Sequence, residues 1–177
     1  MEIRLDTRPL PKIEADALVS YIFEQEKPAA GVLGVLDEAS GGTLTKLFAS
    51  GELTGKALET TLLYYPQGLA AQRLLIVGAG KKDKFGTAEL RRLAATAVRH
   101  LKARQVKTVA FMARERDRAA ASAQAITEGM ILANFDSDKY KTDKKPGSEI
   151  ASAALAGWEE SALGEADLGL ARGKVIA

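Results

Sequence analysis

The stretch RLLIVGAGKKDKF, residues 73–85, decides the fold. Leu74 to Val77 are apolar at every position, which marks a strand covered on both faces, as inside a sheet with helices above and below. Gly-Ala-Gly and two lysines follow at once, the way a strand feeding a phosphate loop is spelled. The residues after Gly80 remove the specific versions of that idea. A dinucleotide fingerprint needs a further glycine where Asp83 stands, and a P-loop needs Ser or Thr after its lysine, whereas Lys81 is followed by Lys82. What remains is a strand-end turn in which Gly78 and Gly80 permit unusual dihedrals or a close backbone approach.

Outward from this strand, similar short apolar runs recur between turn residues. They are EIRLD from Glu2, ADALVSYIFE from Ala15, ALETTLLYY from Ala57, KTVAFMA from Lys107 and EIASAALAG from Glu149. Helical patterns alternate with them. In TLTKLFASG, Thr43 is the expected cap, Leu44, Leu47 and Phe48 share a face, and Gly51 supplies the left-handed stop. In GTAELRRLAATAVRHLKARQ, Thr87 is the expected cap and Glu89 lies in the first turn. An apolar stripe then runs through Leu90, Leu93, Ala94, Ala97, Val98 and Leu101. DRAAASAQAITEGMILANF is an alanine-rich helix suited to close packing. Residues 136–148 read as an exposed connector, and residues 159–177 as a final helix weakened by Gly164, Gly169 and Gly173. The alternation predicts one α/β domain over residues 1–177, a three-layer α/β/α sandwich around a mixed, mostly parallel sheet.

The 177 residues carry 25 Lys and Arg against 23 Asp and Glu, a formal charge of +2, too balanced for a dedicated nucleic-acid binder. With no cysteine and one histidine, disulfides, thiolate nucleophiles and cysteine zinc sites are excluded. His100 reads as a partly exposed structural residue, with no second histidine to chelate a metal. Asp136 and Asp138 begin like a calcium loop, but Tyr140 and Lys141 stand where the next ligand and glycine belong. No G-x-S-x-G elbow occurs, and the carboxylates are not gathered at strand ends. No catalytic or metal-binding residue is therefore assigned. The Glu38–Gly42 turn, EASGG, could form a backbone nest, although a turn into the Thr43 helix needs the same residues. No export signal or membrane-length apolar segment is present, so a cytoplasmic protein is expected.

Five segments, in order, resemble the N-terminal domain of the leucyl aminopeptidase, or cytosol aminopeptidase, family. They are ADALVSYIFE, LDEASGGTLTKLFASGELTGKALET, RLLIVGAGKKDKF, ELRRLAATAVRHLK and ITEGMILANFDSDKYKTDKK. The resemblance spans essentially the whole chain and implies a macro-domain-like α/β/α fold. It also implies that a final helix like GLARGKVIA leads into a catalytic domain absent here. That domain would hold two divalent metal ions, zinc or manganese, an N-T-D-A-E-G-R motif and a catalytic lysine, and would remove N-terminal amino acids from peptides. None of those motifs occurs in these residues, so the chain itself is expected to be inactive, with no cofactor of its own. Its implied partners are its own catalytic domain and the subunits of a homo-hexamer. The alternative is a free-standing macro-like module binding ADP-ribose or another nucleotide through the amides of Gly41, Gly42, Gly78 and Gly80. DNA contact through Lys139 to Lys145 is a weaker third reading; neither nucleic acid nor a membrane is an expected partner.

Overall fold

A computed structural model describes residues 1–114, 118–135 and 149–177. The expected connector at 136–148, with Asp136, Asp138 and the lysines from Lys139 to Lys145, lies outside the described residues. In chain order the elements are β1 (Glu2–Leu5), β2 (Ala17–Phe23), α1 (Gly31–Ala39), α2 (Thr43–Ser50), β3 (Thr60–Tyr64) and β4 (Arg73–Gly80). There follow α3 (Thr87–Lys102), β5 (Thr108–Met112), α4 (Ala119–Asn134), β6 (Ser152–Ala156) and α5 (Leu163–Ile176). All six expected strands form.

The strands make one sheet in the order β1-β6-β5-β2-β4-β3. Every neighbouring pair is parallel except β3 with β4. The sheet is thus mixed and mostly parallel, as expected. The strand of the opening stretch, β4, is internal but stands one place in from the β3 edge, and β5 and β2 form the centre.

Alternation along the strands builds two cores. Val19, Tyr21, Leu75, Val77, Val109 and Phe111 face α3, α4 and α5. Leu18, Ile22, Leu74, Ile76, Ala110 and Met112 face α1 and α2, with Leu33, Leu36 and Leu44 packed on them. The pleat sends successive side chains to opposite faces, so two helical layers are needed to dry the same strands. Full burial of Leu33, Leu36 and Leu44 contributes about 1.5–3 kcal/mol each.

The helix starts differ from expectation by one residue. Thr43 and Thr87 are the first helical residues, and glycines 42 and 86 occupy the cap positions. The exposed amides are satisfied from elsewhere in each case. Asp37, at the end of α1, accepts the Thr45 N–H at 3.0 Å, and Glu89 reaches back to accept the Gly86 N–H at 3.0 Å. Helix α1 had no expected counterpart.

In the three-helix layer, α4 lies between α3 and α5 and is buried along most of its length. Its glycine and two of α5, Gly169 and Gly173, are contact points. A Cβ on Gly129 would stand 2.3 Å from the Arg91 carbonyl oxygen, and one on Gly169 would stand 2.0 Å from that of Ala120. Gly173 meets Gln124 and Thr127, so α5 runs parallel to α4 at near backbone contact. Of the three glycines expected to weaken the last helix, Gly169 and Gly173 are what let it dock, and Gly164 faces open space.

Candidate functional site

In an open α/β sheet, ligands bind outside the carboxyl ends of the strands, where connections from two neighbouring strands diverge. Here β2 diverges in this way from both of its parallel neighbours, β4 and β5, and the β2–β5 side carries the charged groups. The chain leaving β2 enters α1 and α2 on one face, and the chain leaving β5 enters α4 on the other. The β2–β5 ladder extends only to Val19 and Phe111, so the Tyr21 carbonyl lies beyond it. Arg114, two residues past the end of β5, donates from Nη1 to that carbonyl at 2.7 Å.

The same guanidinium grips Glu26. Nη1 donates to Glu26 Oε2 at 2.9 Å, and Nη2 donates to Oε1. The Phe23 N–H donates to Oε2 at 3.0 Å. Two aromatic faces hold the guanidinium, its carbon lying 5.1 Å from the Tyr21 ring centroid and 5.6 Å from that of Phe23. Phe85 closes the group, stacked on Tyr21 at 5.3 Å and edge-on to Phe23 at 5.0 Å. Lys82 Nζ approaches the Phe23 ring at 5.9 Å. Burial pushes the Glu26 carboxyl up, but the Arg114 and Phe23 hydrogen bonds and the charges of Arg114 and Lys82 outweigh it. Glu26 is held below the ordinary carboxylate value. The arrangement can bind an anion.

Of the four glycines of the nucleotide reading, Gly78 and Gly80 pair with Ile22 and Phe23 in the neighbouring strand and Gly41 and Gly42 lie in a separate turn, and each amide is already donating. Gly78 N–H bonds the Glu59 carbonyl at 2.7 Å, and Gly80 N–H bonds that of Gly55 at 2.9 Å. Gly41 and Gly42, in the turn between α1 and α2, bond the carbonyls of Glu38 and Asp37 at 3.1 and 2.8 Å. A pyrophosphate there would have to displace those bonds. Gly78 instead admits a crossing chain, since a Cβ on it would stand 1.8 Å from the Lys56 carbonyl oxygen. Gly80 has φ +73°, open to glycine without strain.

His100 sits at the outer part of α3 and reaches β3, its Nδ1 lying 3.3 Å from Thr60 Oγ1. Burial, then the nearby Arg104 charge, lowers its pKa. Among the described residues no group of three or more His, Cys, Asp or Glu side chains could hold a metal ion. No helix among them is long and apolar enough to cross a membrane.

Sequence reasoning passed over Tyr21, Phe23, Glu26, Phe85 and Arg114. The available signal was opposite charge just after two strands, FEQE following β2 and MARE following β5. Their adjacency depends on a strand order that no local motif states. It also passed over Glu128, buried in α4, which pairs with Arg91 of α3 at 2.6 Å and accepts from Gln124 at 2.8 Å.

The model of the cytosol aminopeptidase family's N-terminal domain matches residues 20–144. A probable cytosol aminopeptidase of Solibacter usitatus is 40% identical over 177 residues, covering 100% of this chain and 34% of the relative. One of Acidobacterium capsulatum is 33% identical, covering 98% of this chain and 36% of the relative. The chain thus spans about a third of the length of the curated relatives it matches. Among solved structures, a mutant of tomato leucine aminopeptidase superposes with TM-score 0.74 at 18% identity, over 96% of this chain and 35% of that one. A Trypanosoma brucei macrodomain in complex with ADP superposes with TM-score 0.72 at 12% identity, over 96% and 69%. At these identities the two structures speak for the fold alone, which is macro-domain-like.

Proposed function

The chain belongs to the cytosol aminopeptidase family, as its N-terminal domain, and from that premise we propose that it is the non-catalytic part of a longer metallopeptidase. The observation that carries this is the 40% identity running the full length of the chain but over only 34% of the relative. The parent would remove N-terminal amino acids from peptides with two divalent metal ions, zinc or manganese, held in a separate catalytic domain. The residues described here do not fit such a pair, because they assemble no carboxylate or histidine cluster. No step of the reaction is therefore assigned to them.

The domain's own task is packing and assembly, against its catalytic domain and within a cytoplasmic homo-hexamer. Support comes from the shared carboxyl end of α4 and α5, where Leu132, Phe135, Val175 and Ile176 stand 57 to 86% exposed. Neighbouring apolar side chains at one end of a layer are what an interdomain contact covers. The test is enzymatic. The purified chain, supplied with zinc or manganese, is expected to release no leucine from a leucyl substrate, and turnover near 1 s⁻¹ or above, roughly the enzymatic range, would refute the reading.

The second reading, ADP-ribose binding at Gly41, Gly42, Gly78 and Gly80, has the macrodomain likeness behind it. The four engaged amides weigh against it. Calorimetric titration with ADP-ribose separates the two, since saturable heat lost on substitution at those glycines would favour the module.

A further inference from the structure

We infer that the crevice between β2 and β5 is an anion site that the chain keeps filled with its own Glu26, so that a diphosphate-bearing small molecule binds there only by displacing this carboxylate. Three donors already converge on one pair of oxygens: Nη1 and Nη2 of Arg114 and the Phe23 N–H. The guanidinium lies against Tyr21 and Phe23 and is tied to the Tyr21 carbonyl. Its fork is therefore fixed before any ligand arrives. Two phosphate oxygens present the same planar, bidentate face to arginine as a carboxylate does. The site also stands at the divergence of two strand connections, where this architecture places ligands.

The occupant is the less firmly held partner. The Arg114 side chain is 13% exposed, whereas that of Glu26 is 29% exposed. Glu26 belongs to a turn rather than a strand. Gln25 before it has φ +62°, and the Glu26 N–H closes the turn on the Phe23 carbonyl at 3.2 Å. Rotation of one side chain would free all three donors without moving the sheet. Two residues further along the same loop begins an open depression of about 420 Å³, lined by Pro28, Ala30, Gly31 and Gly34 and, at its far end, by the carboxylate residues Asp37 and Glu38. That is within the size range of small-molecule sites, about 300–1,000 Å³. The cation of Lys82 lies 5.9 Å from the Phe23 ring centroid and its charge acts on Glu26. The site uses none of the four glycine amides of the nucleotide reading, and it stands or falls independently of the packing role.

The test is titration of inorganic pyrophosphate, followed by calorimetry, into the wild-type chain, Glu26→Ala, Glu26→Gln and Glu26→Ala with Arg114→Met. Removing the internal carboxylate should tighten pyrophosphate binding roughly ten-fold or more, the worth of one charge-assisted hydrogen bond. The double variant should return to the wild-type level. Should Glu26→Ala fail to fold, Glu26→Gln, which keeps the shape and removes the charge, decides the matter with a smaller gain in the same direction. A folded Glu26 variant that binds pyrophosphate no better than wild type overturns the inference. So does a gain that survives loss of Arg114.

Discussion

One substitution made at two places on α5 should move stability in opposite directions. At Gly164 a Cβ meets nothing within 4 Å. Gly164→Ala therefore gains only the helix preference of alanine over glycine, up to about 1 kcal/mol and less in a first turn. At Gly169 the same methyl would stand 2.0 Å from the Ala120 carbonyl oxygen and 2.7 Å from its carbonyl carbon. Both are backbone atoms of a buried helix, so no rotamer change relieves the clash. Helix α5 must withdraw until the contact is ordinary, loosening Ala166 and Leu170, both nearly fully buried. Overpacking costs about 1–3 kcal/mol, and a clash between two backbones belongs in the upper part of that range, about 2–3 kcal/mol. After a propensity gain of about 1 kcal/mol the net loss is about 1–2 kcal/mol. With a urea slope of about 2 kcal/mol per molar, the unfolding midpoint should fall by about 0.5–1 M for Gly169→Ala. It should hold or rise slightly for Gly164→Ala. Equal shifts of the same sign would refute the claim that Gly169 is a contact point rather than a weak link.

Stability should decline in two stages on acidification. The folded-state pKa of His100 is depressed by burial and Arg104, so its contribution is intact above about pH 6.5 and is lost as the pH falls below that value. Glu26 is held down by Arg114 and Phe23 against its burial, and Asp6 by its hydrogen bonds with Arg8. Their stabilisation is present above about pH 4 and disappears below it. Thermal midpoints of wild type, His100→Gln and Glu26→Gln between pH 3 and 8 check the assignment, each variant flattening its own stage. Arg91→Met should destabilise by about 2 kcal/mol, less than the ~3–5 of a fully enclosed pair, because the Arg91 side chain is 46% exposed while that of Glu128 is 4%. Pairing it with Glu128→Met should restore most of the loss, as read by urea unfolding.

The strands were legible because each carries its signal locally: uninterrupted apolar runs such as Leu74 to Val77, ended by glycine or charge. Helices α3 and α4 were legible by length and periodicity. Helix α1 was not, since Gly31 and Gly34, with Pro28 just before, give a nine-residue helix the composition of a turn. The caps were misplaced by one residue because the groups serving them, Asp37 and Glu89, lie outside the positions that a cap occupies. Gly169 and Gly173 show the converse. Helix propensity counts the loss of a side chain, but the contact it permits with α4 is written in another segment. The Arg114–Glu26 pair joins residues 88 apart in sequence, and only the strand order makes them neighbours.

That order also has a timetable. Strand β6 fits between β5 and β1, and β1 has no other partner in the sheet. During synthesis Glu2–Leu5 therefore waits for Ser152–Ala156. At about 5–20 residues per second the interval is about 8–30 s. Until then β5, buried on both faces in the finished fold, presents a bare apolar edge once β2 has paired with its other side. Such an edge is a template on which an aggregating neighbour can pair. Strand β6 then adds to the open edge of β5 and supplies on its other side the edge that β1 needs, so the first strand of the chain and the last join the sheet together.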